Sequence, residues 1–216
     1  MKSQNYILPN GLVHVTEIPP LLIDKLHLGG VVVFPTSTQP GLACLLETES
    51  LNALFSIKSR DATKPVSIGV SCLKEAIGIV HVPEYAVDFV DSFPAGSVTL
   101  LLDALEDAEL RIGGDKIAVR VFSHPAAKAL ANAVGPITAT SANIAGQDVE
   151  ADVFAAAQAL GIGIDSILEG ECGGGLPSTL VRFEDGGKGS EVPSAIVMRE
   201  GVVSIQDVAS WRPKER

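Results

Sequence analysis

Lys58-Ser59-Arg60-Asp61-Ala62-Thr63-Lys64-Pro65 is the stretch on which the reading of the chain turns. It gathers three cations within seven residues, in a chain that is otherwise acidic. Before it, residues 47–57 carry apolar side chains at Leu51, Leu54, Phe55 and Ile57, which is helical spacing. After it, residues 65–71 alternate in the manner of a strand. The cations therefore stand on a helix-to-strand turn. Two readings are open at this point. The cations complement the helix dipole and bond its last carbonyls, at about 0.3–1 kcal/mol each. Or they form a phosphate clamp, one guanidinium fork and two ammonium point charges at one turn.

The rest of the chain interleaves strands and helices around this turn. Residues 21–28 read as a short amphipathic helix ended by Gly29-Gly30. The β-branched run 31–34 reads as a buried strand, and Pro35 to Gly41 as a loop leaving it. Further helices are expected over 73–79, 84–93, 125–133, 151–160 and from Ile205 onward. Further strands are expected over 98–102, 117–121, 137–139, 164–168, 178–183 and 195–198. Residues 1–18 read as an opening strand or extended arm, 185–190 as an exposed turn, and 212–216 as a polar tail. The division is thus an arm over 1–18, one domain over 19–204, and a C-terminal helix and tail over 205–216. The alternation is not strict, which favours a mixed sheet with packed helices over a regular doubly wound one.

Bulk properties narrow the function. The 216 residues suffice for one sizeable core, and 46% hydrophobic against 19% charged residues marks a globular chain. Sixteen Lys and Arg against 26 Asp and Glu give a net charge of −10, which disfavours nucleic-acid coating by charge alone. Cys44, Cys72 and Cys172 are odd in number and widely spaced, and His14, His27, His81 and His124 are scattered. Neither set gives a disulfide framework or a metal site. No signal peptide or membrane span is read, so a cytoplasmic location is expected.

Familiar phosphate motifs, the G-x-S-x-G elbow and H-E-x-x-H are all missing, and Gly173-Gly174-Gly175 reads as a flexible turn. Arg120 says more. Alternation over 117–122 puts Ile117, Val119 and Val121 on one strand face, and Ala118, Arg120 and Phe122 on the other. A guanidinium buried there without an anion would cost roughly 3–5 kcal/mol. Its partner is either an internal Asp or Glu, or the carboxylate or phosphate of a ligand. Arg182 shares a face with Glu184 and is read as a structural pair. Thr140-Ser141-Ala142-Asn143 is either a turn held by its own side chains or a set of donors at a strand end. Pro177-Ser178-Thr179 and Arg199-Glu200-Gly201 offer similar strand-edge groups. Together these blocks hold hydroxyls and cations with almost no general base, which suits catalysis by positioning and electrostatics.

The order Pro35-Thr36-x-Thr38-x-x-Gly41-Leu42, Lys58-x-Arg60-x3-Lys64-Pro65, Ala118-Val119-Arg120-Val121, Ser141-Ala142-Asn143-x-x-Gly146, Pro177-Ser178-Thr179 and Arg199-x-Gly201 resembles the YrdC/Sua5 (TsaC) family. The resemblance implies an α/β fold, a twisted mixed sheet with packed helices around a concave cavity. It implies a threonylcarbamoyl-AMP synthase, in the short form without the C-terminal Sua5 domain. Such an enzyme is a nucleotidyltransferase that joins L-threonine, bicarbonate and ATP, releases pyrophosphate, and serves the t6A modification of tRNA. Thr36, Thr38, Arg120 and Ser178 are the implied threonine-binding residues. Arg60, Lys64, Lys116, Thr140, Ser141, Asn143 and Arg199 are the implied ATP-binding residues. Lys58 and Arg60 are the implied catalytic pair, with Mg2+ accompanying ATP, and tRNA or the t6A machinery are implied further partners. The chain departs from the family at Gln39-Pro40, Pro94-Ala95-Gly96 and Gln147-Asp148-Val149, where Val-Tyr, Pro-Gly-Pro and Pro-Ser-Pro are usual. These departures keep a second reading open: a non-catalytic paralogue that binds nucleotide or double-stranded RNA.

Overall fold

The computed structural model describes residues 17–184 and 193–213, and the backbone of two short paired strands, β1 (Tyr6–Ile7) and β2 (Val13–His14). The turn expected over 185–190, most of the arm over 1–18 and the last residues of the tail lie outside the described residues.

Helix α1 (Pro20–His27) begins with Pro at its first position and buries Leu22 and Leu26. Strand β3 (Val32–Phe34) follows, buried throughout as its β-branched run requires. Strand β4 (Gly41–Ala43) pairs antiparallel with it. The sequence reading had passed from loop to helix there, because Gly41-Leu42-Ala43 is too short to show a period. Helix α2 (Thr48–Ile57) buries Leu51, Leu54 and Phe55. Strand β5 (Ile68–Val70), a 3-10 turn over Leu73–Ala76 and helix α3 (Tyr85–Asp91) come next. Strands β6 (Val98–Asp103) and β7 (Lys116–Val121) form an antiparallel pair.

Helix α4 (Pro125–Val134) is capped by His124, whose ring accepts from the Ala126 amide. Strands β8 (Ile137–Thr138) and β9 (Thr140–Ser141) are consecutive but belong to different sheets. Helix α5 (Val153–Ala159) starts at Asp152, which accepts from two backbone amides, a cap worth about 1 kcal/mol. Strands β10 (Thr179–Glu184) and β11 (Ser194–Arg199) and helix α6 (Ile205–Ser210) complete the order. The strand expected over 164–168 is not there. Ile164–Ser166 is a 3-10 turn, and the segment touches β3 through a single bridge from Ile167 to Val33. Asp165 and Ser166 instead hold Lys25 of α1, at 2.7 and 2.6 Å.

The main sheet has the order β11-β10-β6-β7-β5-β8, with parallel pairs β10/β6 and β5/β7 among antiparallel ones. A second sheet has the order β3-β4-β9. One face of the main sheet holds Leu100, Leu102, Ile117, Val119 and Val181 in the larger core. There Phe89 meets both Phe183 and Trp211 edge to face, so α6 and its C-cap Trp211 close this core. The smaller core joins α1 and α4 to β3. Each large apolar side chain fully buried in either contributes about 1.5–3 kcal/mol. The opposite face of β6, β7 and β10 is left free for the site. Between the two sheets, Phe34 and Phe122 meet edge to face at 5.6 Å. Gly41 and Gly69 permit this: an added Cβ would lie 2.7 Å from the Phe34 ring and 1.9 Å from the Phe122 ring.

Candidate active site

Register builds the site's floor. Arg120 of β7 lies opposite Thr99 of β6, Ala118 opposite Leu101, and Leu180 of β10 opposite Thr99. Side chains of one pleat face therefore form a continuous patch. The β3–β4 loop, the start of β4 and strand β9 face this patch. The space between is a cavity of about 520 Å³, within the usual range for small-molecule sites. Its wall includes Thr36, Thr38, Arg60, Lys116, Arg120, Thr140, Ser141, Ser178 and Arg199, so nine of the twelve residues expected at the site meet at one hollow.

The β3–β4 loop is held by its own hydroxyls. Thr36 Oγ1 donates to the Gln39 carbonyl at 2.6 Å and accepts from the Thr38 amide at 3.1 Å. Both threonines are buried, with their hydroxyls 3.3 Å apart. The glycine run is no free turn: Gly173 and Gly174 amides donate to the Thr36 and Thr38 carbonyls, at 3.0 and 2.6 Å. An added Cβ on Gly173 would lie 2.2 Å from the Ser37 carbonyl oxygen.

Among the described residues Arg120 has no carboxylate partner. Its guanidinium donates to the Gly96 carbonyl, Ser37 Oγ and Thr38 Oγ1, at 3.1 to 3.3 Å. Burial, and then the like charge of Arg199, push its pKa down to about 10. Burial also lowers the pKa of Arg60 and Arg199. Arg199 donates to the Ser178 carbonyl at 2.8 Å, and Ser178 Oγ pairs with Thr99 Oγ1 at 2.7 Å. Lys116 pairs with Asp103, which stands outside the cavity wall. Among the described residues no Asp or Glu lines the wall, so the cavity is a cationic hollow. Of the two partners weighed for Arg120, an internal carboxylate is not found among the described residues. Arg182 does pair with Glu184.

Lys58, Lys64 and Asn143 do not line the cavity. Helix α2 ends in a Schellman arrangement: the Ser59 and Arg60 amides bond the Ser56 and Phe55 carbonyls, both at 3.0 Å, with Ser59 left-handed at φ 46°. The last carbonyls are thus satisfied by backbone, and the cations do not bond them. Arg60 turns to the Lys64 and Pro65 carbonyls, at 2.6 and 2.8 Å, while Lys64 itself is exposed. Lys58 is 1% exposed and donates to the Ser141 and Asn143 carbonyls and to Asn143 Oδ1. Burial pushes its pKa down to about 8. Of the three cations of this turn, Arg60 alone lines the cavity. Spacing had missed Ser37, Thr99 and the Gly96 carbonyl. Thr99 was findable, since alternation over 98–102 sets it apart from Val98 and Leu100.

The chain belongs to the Sua5/YciO/YrdC family, whose model carries the description telomere recombination and matches residues 24–201. It is 33% identical over 167 residues to a threonylcarbamoyl-AMP synthase of Xanthomonas campestris pv. campestris, covering 74% of this chain and 89% of that one. An Aliivibrio fischeri protein of the same name is 30% identical over 168 residues, covering 74% and 91%. Among solved structures, P. abyssi Sua5 complexed with L-threonine superposes with TM-score 0.72 at 26% identity. That match covers 87% of this chain, which spans 56% of the Sua5 chain. E. coli YciO shares the fold, with TM-score 0.69 at 24% identity over 89% of this chain and 95% of its own. Among the described residues no helix is long and apolar enough to cross a membrane, and no group of three or more His, Cys, Asp or Glu could hold a metal.

Proposed function

We propose that this chain is an L-threonylcarbamoyladenylate synthase of the cytoplasm, forming threonylcarbamoyl-AMP and pyrophosphate from L-threonine, bicarbonate and ATP, for t6A modification of tRNA. The observation that carries the reading is Arg120, partly buried in a cavity whose wall, among the described residues, holds four cations and no carboxylate. A guanidinium fork that bonds only neutral oxygens is poised for a carboxylate. The relatives named threonylcarbamoyl-AMP synthase, and the Sua5 complex with L-threonine, support that choice of acid.

In this mechanism Arg120 and the hydroxyls of Thr36, Thr38 and Ser178 orient the amino acid. Arg60, Lys116, Arg199 and the hydroxyls of Thr140 and Ser141 receive the nucleotide. Bicarbonate and the threonine amine give an N-carboxylate with loss of water. One oxygen of that carboxylate attacks the α-phosphorus, and the bond from α-phosphorus to its bridging oxygen breaks. Pyrophosphate leaves with that electron pair. Cations fixed beforehand around the transferring group offset its charge without reorganising. The described wall residues include no carboxylate, so the Mg2+ expected with ATP would be held by the triphosphate and would supply Lewis-acid charge there.

The test is pyrophosphate release by the purified chain. Release that requires both threonine and bicarbonate is expected. Nucleotide or double-stranded RNA binding with no turnover would replace this reading with the non-catalytic paralogue.

A further inference from the structure

Lys58 was expected to face phosphate, and the structure turns it the other way. An ammonium has three N–H groups. The structure gives Lys58 Nζ three acceptors: the Ser141 carbonyl at 2.5 Å, the Asn143 carbonyl at 2.7 Å and Asn143 Oδ1 at 3.3 Å. The Lys58 carbonyl in turn accepts from the Ala145 amide at 2.8 Å. The end of α2 and the segment after β9 are thus joined through both side chain and main chain. That segment continues the linkage. Asn143 Oδ1 also accepts from Ser141 Oγ at 2.7 Å, and Asn143 Nδ2 donates to the Gln147 carbonyl at 2.5 Å. Ser141 pairs with Gly41 across the β4–β9 ladder, and the Ala142 amide donates to the Pro40 carbonyl at 2.8 Å. Thr140 and Ser141 stand on the cavity wall, one layer in front of Lys58.

We propose that Lys58 is a positioning residue: its ammonium fixes the Ser141–Asn143 main chain, and through it the Thr140 and Ser141 hydroxyls, without touching the nucleotide. Two observations support this over direct phosphate contact. The side chain is 1% exposed, and each of its N–H groups has an oxygen of this one segment within reach. A buried charge balanced by carbonyl dipoles alone is a costly clamp, and it is retained here at the rim of the cavity. The role assigned to Thr140 and Ser141 rests on the proposed nucleotide site; the clamp itself does not.

The experiment combines amide hydrogen exchange on the ligand-free full chain with a double-mutant cycle. In Lys58→Met, which keeps the stem and removes the donors, the amides of 142–147 exchange at least tenfold faster than in wild type. Pyrophosphate formation falls at least tenfold in kcat, while threonine binding by calorimetry changes less than threefold. Asn143→Ala leaves Lys58 charged and lowers kcat in the same way. The double variant is within threefold of Lys58→Met alone, because residues acting as a unit are not additive. Unchanged exchange in Lys58→Met, or costs that multiply in the double variant, would overturn the proposal in favour of independent phosphate contact. If Lys58→Met does not fold, Asn143→Ala decides: wild-type kcat in it overturns the proposal. Wild type without turnover would defeat the proposed function instead, and the exchange comparison would still judge the clamp.

Discussion

Replacing Arg120 with Met removes the fork and keeps an apolar stem of similar length. Two effects oppose each other in the ligand-free protein. The variant loses bonds to the Gly96 carbonyl, Ser37 Oγ and Thr38 Oγ1. It also escapes the desolvation and the Arg199 repulsion that depress the Arg120 pKa. Each effect is of the order of a few kcal/mol and they oppose, so ligand-free stability moves by less than either effect alone. Ligand binding has no such compensation. A charge-assisted fork to a carboxylate is worth about 2 kcal/mol, or about 30-fold in Kd. Threonine at a hundred times the wild-type Kd stabilises wild type by about 2.7 kcal/mol and the variant by about 0.9 kcal/mol. For a chain of this length that is a melting shift of about 5–11 °C falling to about 2–4 °C. The assay is thermal melting across a threonine titration, with ATP titrated in parallel as the control. An undiminished threonine shift in Arg120→Met would refute the assignment of the fork to a carboxylate.

Three further outcomes follow from local geometry. His124 accepts through Nδ1 from the Ala126 amide and bonds the Glu171 carbonyl through Nε2, and burial lowers its pKa below 6.5. The unfolded chain therefore binds a proton near pH 6.5 that the folded one refuses until lower pH, so stability falls as pH drops through that window. His124→Asn keeps a capping acceptor and should flatten that slope in denaturant melts at pH 5.5 and 7.5. Ser59→Gly relieves the left-handed position of the α2 cap and should raise stability by about 0.5–1 kcal/mol, read as a shift in denaturation midpoint. Gly173→Ala drives a methyl into the Ser37 carbonyl and should cost roughly 1–3 kcal/mol, with weaker threonine binding by calorimetry as the β3–β4 loop shifts.

The parts of the site legible in sequence are those where a period fixes direction. Arg120 and Phe122 share a face because strand side chains alternate, and register then brings Thr99 beside Arg120. Direction at a turn has no such period. Lys58 and Arg60 are two apart, yet the left-handed Ser59 between them lets one ammonium enter the protein and one guanidinium enter the cavity. Spacing could not separate those outcomes. Strand β4 and the 3-10 turn at Ile164–Ser166 escaped for a related reason. Three residues show no alternation, and pairing with β3 decided the first, while the demand of Lys25 for Asp165 and Ser166 decided the second. The glycine run looked free because its partners, the Thr36 and Thr38 carbonyls, lie more than a hundred residues away in sequence.

The chain carries ten more acidic than basic residues, yet Arg60, Lys116, Arg120 and Arg199 share one hollow whose described wall residues include no acid. Carboxylates are abundant in this chain, yet among the described residues none stands on this wall: Lys116 is paired with Asp103 outside it, while Arg60 and Arg120 bond carbonyls and hydroxyls. Burial depresses the pKa of the three arginines, which shows that the folded protein bears a cost to hold them charged. Such a cost would be offset by a ligand that brings negative charge, which is the physical basis of the proposed anionic substrates. The acidic remainder of the surface repels a long polyanion more than a small one, since beyond about 8–10 Å exposed charges are screened from one another. A small polyphosphate with a carboxylate beside it satisfies both demands. An extended RNA backbone satisfies only the first, which is why the enzymatic reading stands ahead of the RNA-binding one.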